Sequence, residues 1–201
     1  MSSLIHPAIR HHLTPGGRVR LISLRGGEVA LVRPVFDGLS ERSRWLRFHT
    51  GMPSVPPRYL EQLARVVPGH RHVLLAVAPH GPVGHAEWTR LPGTPSRAEV
   101  AVAVVDAAHG QGVGLALVEE LAHSAAAQGI SRFTCSALRE NRPVRQWLDR
   151  CDARVDPSDP TECTFAITDL VAAIASHAGR ATPPPENPLT SGDRGAVAST
   201  R

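Results

Sequence analysis

No stretch of the 201-residue chain approaches the roughly 20 consecutive apolar residues that a membrane-spanning helix needs, so a membrane protein is not expected. The opening residues, MSSLIHPAIRHHLTPGG, lack the apolar centre and small-residue cleavage pattern of a signal peptide; the expected location is the cytoplasm. Cysteine is scarce: Cys135, Cys151 and Cys163 are odd in number and widely spaced, with no C-x-x-C pair, which argues against a disulfide framework or a thiolate zinc site and for buried, reduced thiols. Acidic residues are absent from Met1 to Gly27, where Arg10, Arg18, Arg20 and Arg25 lie, so the formal charge of +4 is local and the rest of the chain is balanced. A solvated basic arm followed by an edge strand accounts for it, and a nucleic-acid surface is not expected.

What is present fits one folded domain. Apolar residues make up 42% and charged residues 20%, an ordinary globular balance, and the length suits one α/β unit with loose ends. Residues 1–17 read as a flexible arm, 18–170 as the domain and 171–201 as an extension; the proline-rich RATPPPENPLTSGDRGAVASTR is expected to be disordered from about residue 180. RVRLISL alternates like an edge strand. EVALVRPVFDGLS suggests a helix interrupted near Pro34, SERSRWLRFHT a helix capped by Ser40, and PPRYLEQLARVV a third with Tyr59, Leu60, Leu63 and Val67 at helical spacing. RHVLLAVA and PVGHAEWTRL then read as a hairpin around PHG. AEVAVAVVD is a strand with Glu99, Ala101 and Ala103 on one face and Val100, Val102 and Val104 on the other. After a long helix over Gln111 to Gln128 follow a buried strand, ISRFTCSAL, a helix, NRPVRQWLDRC, and a last strand, ECTFAITDL.

The densest signal is VVDAAHGQGVGLALVEELAHSAAAQG, where Gly110, Gly112 and Gly114 precede a helix anchored by Val113, Leu117, Leu121 and Ala125. A helix start offers unpaired N–H groups and partial positive charge, and glycine lets the backbone before it curl inward toward an anion. A dinucleotide G-x-G-x-x-G fails because its last position falls on Leu115 or Leu117, and a P-loop fails because no Gly-Lys-Ser/Thr follows. A tight structural turn and a phosphate cradle both remain open on spacing alone.

His109-Gly110-Gln111-Gly112-Val113-Gly114 resembles the Gln/Arg-x-x-Gly-x-Gly/Ala signature of the GNAT superfamily of acetyl-CoA-dependent N-acetyltransferases. The likeness covers about Arg18 to Leu170, including NRPVRQWLDRCDA, and DGLSERSRWLRF is particularly similar to GNAT domains of bacterial protein-lysine acetyltransferases. The resemblance implies an α/β (α+β) fold, a mixed, mostly antiparallel sheet flanked by helices, with a splayed central strand pair binding coenzyme A. It implies that the backbone amides of Gln111, Gly112, Val113, Gly114, Leu115 and Ala116 face the pyrophosphate, with Gly110 and His109 beside them. Val104 and Val105 match the place where the central strand bulges and splays toward the pantetheine arm, and Asn141 matches the family's asparagine near that arm. His109 stands where Gln or Arg is usual, Leu148 where many members carry tyrosine, and Asp152-Ala153 where Gly-Phe is usual.

Amine acetylation requires that an ammonium with a pKa of about 10.4 lose its proton near neutral pH, and Glu99 matches the base position of lysine-acetylating members. Glu87, beside Trp88, is the reserve base. The thioester carbonyl is expected to be polarised by a backbone amide such as that of Val105. Cys135 reads as an inert buried thiol, and His70 and His72 lack a nearby acidic or cysteine partner, so no metal is expected. By the same resemblance Arg42, Arg44 and Trp45 fall in the region that lines the acceptor side, where a solvated helix face is the favoured reading. The expected protein is thus an acetyltransferase, monomer or homodimer, with acetyl-CoA as co-substrate and either a protein lysine or a small-molecule amine as acceptor. The reading from another class is an acetyl-CoA-binding sensor without turnover.

Overall fold

The computed structural model describes residues 9–178. Eight strands, β1 (Ile9–Thr14), β2 (Gly17–Ser23), β3 (Arg71–Ala78), β4 (Gly81–Arg90), β5 (Arg97–Val104), β6 (Arg132–Ser136), β7 (Arg154–Val155) and β8 (Glu162–Ala166), form one sheet in the order β1-β2-β3-β4-β5-β6-β8-β7. Every pairing is antiparallel except β5 with β6. Six helices flank it: α1 (Val29–Asp37), α2 (Glu41–Phe48), α3 (Pro57–Leu63), α4 (Val113–Ala127), α5 (Arg142–Arg150) and α6 (Ile167–Ala178).

Each sheet face has its own core. Beneath α4 and α6, Leu117, Leu121, Phe133, Leu170 and Ile174 pack with Leu74, Trp88, Ala98 and Val100. Full burial of a leucine such as Leu117 or Leu121 contributes about 1.5–3 kcal/mol, which anchors α4 far more strongly than its intrinsic propensity. A Cβ at Gly84 would stand 2.8 Å from Leu117 Cδ1, so the bare backbone of β4 is what lets α4 lie this close. On the opposite face, Val32, Val35 and Phe36 of α1 and Leu60 and Leu63 of α3 close over Val73, Leu75 and Ala103. Strand β5 serves both layers by alternation: Ala98 and Val100 face the α4 side, and Ala103 the α1 side.

Several local expectations change. Residues 9–14, read as part of a flexible arm, form β1, which pairs along the whole of β2 from Ile9↔Ile22 to Thr14↔Gly17 and satisfies that strand's outer backbone groups. Helix α1 runs unbroken through Pro34, because one missing N–H costs less than the burial of Val32, Val35 and Phe36 returns. Helix α3 stops at Leu63, and Val67 forms a bridge with Arg71 instead of extending the helical stripe. ECTFAITDL is a strand only to Ala166; Ile167 opens α6, whose Leu170 and Ile174 enter the main core, so residues 171–178 belong to the folded unit. The tail from about residue 180, expected to be disordered, lies outside the described residues.

Candidate active site

Strands β5 and β6 pair at only three positions, Arg97↔Arg132, Ala98↔Phe133 and Glu99↔Thr134, although β5 continues to Val104 and β6 to Ser136. Beyond Glu99 the two strands part and leave a V-shaped gap. The Val105 amide donates to the Val83 carbonyl at 2.9 Å, on the β4 side. Backbone groups alternate along a strand, so those of Val102 and Val104 turn toward the gap. Val105 is therefore not the free amide expected to polarise a carbonyl; its donor is used within the sheet. The expected bulge also moves: β5 keeps an unbroken register with β4, and the irregularity falls between Ala76 and Val77 of β3, opposite Val83.

At the open end of the gap, a 3-10 turn (Asp106–Ala108) leads into the glycine loop and α4. Gly112 caps the helix with φ +81°, a left-handed conformation that disfavours any residue with a Cβ. The first closed turn of α4 is the bond from the Ala116 amide to the Gly112 carbonyl, at 3.1 Å. This takes Ala116 out of the expected donor set and leaves the amides of Val113, Gly114 and Leu115, the first helical turn, without an intrahelical acceptor. Gly110 has open space where a Cβ would stand, and a Cβ at Gly114 would meet only Val104 Cγ2 at 3.7 Å. His109 turns back, its Nε2 donating to the Val104 carbonyl at 2.8 Å, and Gln111 donates to the Ala107 carbonyl at 2.7 Å. Both side chains thus shape the loop.

The β1–β2 turn braces this loop, a contact with no signature in the sequence. A Cβ on Gly112 would come within 2.7 Å of Pro15 Cδ, one on Gly16 within 2.5 Å of Gln111 Cβ, and the Gly16 amide donates to the Gln111 carbonyl at 3.3 Å. On the other side, Asp106 Oδ1 accepts from the Ser40 amide at 3.0 Å and so ties the start of α2 to the end of β5. Burial would raise the Asp106 carboxyl, but the hydroxyl and amide of Ser40 outweigh it and hold the group below the usual range.

Glu99 lies at the vertex of the V, exposed, with no ion pair or hydrogen bond among the described residues. Glu87, the reserve base, is buried and doubly held: Arg47 Nη2 donates to it at 2.9 Å, and Arg71 Nη2 to its other oxygen. A carboxylate so engaged is a structural counter-ion. Burial lowers Arg47 from its ordinary value, against the pull of Glu87 and then of Glu99. Its guanidinium lies 5.1 Å from the Phe48 ring centroid. Helix α2 reaches from this cluster across the gap: Trp45 Nε1 donates to Glu140 at 2.6 Å, and Arg42 pairs with the same carboxylate at 3.1 Å. Arg44 instead braces its own end of the layer, on the carbonyls of Leu39 and Met52. The contacts of Arg42, Arg47 and Arg71 with Glu140 and Glu87 were not foreseen, because each joins residues 16 or more positions apart.

Asn141 precedes α5; its own amide donates to the Leu138 carbonyl at 2.9 Å, and its side chain makes no cap. Leu148 is buried in the main core, and Tyr59 is exposed on α3, its ring 6.0 Å from that of Phe48. Burial, with the Cys163 thiol beside it, pushes Cys135 up to about 12, which fits an unreactive thiol. His72 is half-buried, its ring 6.0 Å from that of Trp88, and His70 sits in the turn before β3 with Nδ1 on the Pro68 carbonyl.

Free amides at a helix start, glycines that leave room above them and an unpaired strand edge leading away from them make a slot for an extended ligand with a phosphate end. Solved structures share the architecture. The GNAT domain of S. lividans PAT superimposes with a TM-score of 0.72 at 23% identity, covering 80% of this chain and 99% of that one. Mycobacterium smegmatis RimJ in complex with CoA-disulfide gives 0.61 at 18% identity, covering 88% of this chain and 98% of that one. The cAMP-binding acyltransferase from Mycobacterium smegmatis gives 0.54 at 20%; 87% of this chain is covered, but the chain spans only 57% of that protein. A family model described as the acetyltransferase (GNAT) family matches residues 40–152, from the cap of α2 through the glycine loop to the end of α5. The chain belongs to the GNAT family of acetyl-CoA-dependent N-acetyltransferases.

Proposed function

We propose that the protein transfers the acetyl group of acetyl-CoA directly to an amine, with Glu99 accepting the amine's proton, and that a protein lysine is the first acceptor to test. The observation that carries this reading is the position of Glu99: an exposed, unpaired carboxylate where β5 and β6 separate, at the inner end of the slot that begins at the glycine loop. The amides of Val113, Gly114 and Leu115 would hold the pyrophosphate, and the backbone edge of Val102 with the Val104 amide the pantetheine amides, the Val104 carbonyl being held by His109. The bound thioester supplies an activated acetyl group and a thiolate leaving group with a pKa near 8.5, which departs without an acid. Leu148 in place of a tyrosine is compatible with that chemistry. The protein-lysine reading draws on DGLSERSRWLRF, which forms α2 and its approach along the acceptor side; a small-molecule amine is the alternative.

The test is release of free thiol from acetyl-CoA with a panel of amines and lysine peptides, for the native protein and Glu99→Gln. All 22 basic residues counted as Lys or Arg are arginine, so the chain's own side chains offer no lysine background. Expected is turnover that drops about 10²- to 10⁴-fold in Glu99→Gln with coenzyme A affinity unchanged. Turnover equal in the variant removes Glu99 as base; tight coenzyme A binding without turnover on any acceptor favours the sensor reading.

A further inference from the structure

The polar face of the sheet continues past Glu99 into a cavity of about 320 Å³ lined by Arg97, Arg132, Arg154, Val155, Asp156 and Thr164. Strand register explains why these residues meet. Arg97 lies directly opposite Arg132, Glu99 opposite Thr134, Thr134 opposite Thr164, and Thr164 opposite Arg154. Residues two apart share a face and stand about 7 Å apart, so Arg97 and Arg132 form the next rung from Glu99 on the same side of the sheet. Helices α1–α3 cover that face only as far as β5.

Three arginines line this recess beside a single carboxylate, Asp156. None of the three arginine side chains makes an ion pair or hydrogen bond among the described residues. Asp156, the cavity's carboxylate, directs Oδ1 to the hydroxyl and amide of Ser158, at 2.6 and 2.7 Å. Arginine stays charged at any physiological pH, and its planar donor fork matches a carboxylate. Like charges gathered in a recess repel one another, and an anion between them relieves that repulsion.

We infer that the acetyl acceptor is an amine carrying a carboxylate about 7 Å from its nitrogen, the carboxylate seated among Arg97, Arg132 and Arg154 while Glu99 faces the amine. This rests on the proposed acetyl transfer and adds to it the chemical class of the acceptor. The carboxylate comes either from a free amino acid or from an acidic residue near a lysine in a peptide.

The experiment compares kcat/KM for 6-aminohexanoate with hexylamine, and for a lysine peptide carrying a neighbouring aspartate with its asparagine counterpart. Arg132→Gln and Arg154→Gln, both at exposed positions, are measured alongside the native protein. Expected is a preference of about tenfold or more for the acidic member of at least one pair, entering through KM, with each variant losing about tenfold on that acceptor and nothing on hexylamine. Preference in the first pair alone identifies a small acidic amine, and in the second alone a protein segment. Equal kcat/KM within both pairs, or variants that slow neutral and acidic amines alike, overturns the inference. If no amine is turned over, the transfer reading itself fails, and calorimetry of 6-aminohexanoate against the coenzyme A-loaded protein still decides the pocket. Millimolar binding abolished in Arg132→Gln supports it; no binding, or binding indifferent to that change, overturns it.

Discussion

Gly114→Asp should separate the stability of the fold from the affinity of the cradle, because the two respond in opposite directions. The position is the second residue of α4 and has an ordinary helical backbone, and a Cβ there meets only Val104 Cγ2 at 3.7 Å, a normal contact. Aspartate is a slightly better helix residue than glycine, and a negative charge in the first turn gains about 0.3–1 kcal/mol from the helix dipole. Thermal unfolding should therefore stay within about 2 °C of the native protein or rise. If the first-turn amides hold a pyrophosphate, the same carboxylate lies about 4 Å from it and costs about 1 kcal/mol at the dielectric of water and about 4 at an effective value of 20. The dissociation constant of coenzyme A should rise roughly fivefold to a thousandfold at 0.1 M salt, and the penalty should shrink as salt is added. Gly114→Asn, similar in shape but neutral, should remain within a few-fold. Calorimetry with coenzyme A and a melting curve are sufficient. Native affinity in Gly114→Asp, with an intact melting curve, would refute the phosphate cradle.

The remaining predictions concern the layer beneath α2. Glu87→Gln strips two buried guanidiniums of their counter-charge and should cost on the order of 3 kcal/mol, seen as a drop of about 6–12 °C in Tm. A variant as stable as the native protein would show that Arg47 and Arg71 do not depend on that carboxylate. His85, wholly buried with Nε2 donating to the Leu63 carbonyl at 2.9 Å and its ring edge-on to Phe36, is held by burial at about 4 instead of the ordinary 6.5. Only the unfolded chain takes up this proton between those values. Stability from His85 is complete above pH 6.5 and should fall by about 3 kcal/mol as the pH drops to 4. Urea unfolding across that range should show the slope, and His85→Gln, which keeps a donor for Leu63, should flatten it; an unchanged slope would place the titration elsewhere.

The parts legible in the sequence were those encoded over short distances. Ser40 as a cap, Gly112 before a helix and the alternation along AEVAVAVVD each express a constraint satisfied within a few residues. The alternation put Glu99 and Ala103 on one face, and the helices of that layer indeed pack on Ala103. What escaped depends on pairing between distant segments. That Val105 is engaged with Val83 follows from the parity of the β4–β5 register, which no local pattern displays. The arm was read from composition, yet Arg10 and its neighbours pair with β2 because the turn at Pro15-Gly16 returns the chain on itself. Arg97 could have been noticed two residues before Glu99; Arg132 and Arg154 could not, since only the parallel β5–β6 pairing and the short β7 bring them alongside.

Strand β5 divides its labour by parity, and this bears on how relatives of the chain can diverge. Odd positions supply Arg97 and Glu99 to one face, while even positions bury Ala98 and Val100 beneath α4 and turn the backbone of Val102 and Val104 into the gap. A point change disturbs one of these duties. A one-residue insertion or deletion would exchange them all, sending Glu99 into the apolar layer and Ala98 to the opposite face. Descendants that keep the activity should therefore tolerate point changes along residues 97–106 where these duties are not touched, and no change in length, with inserted residues confined to turns such as the one between β4 and β5.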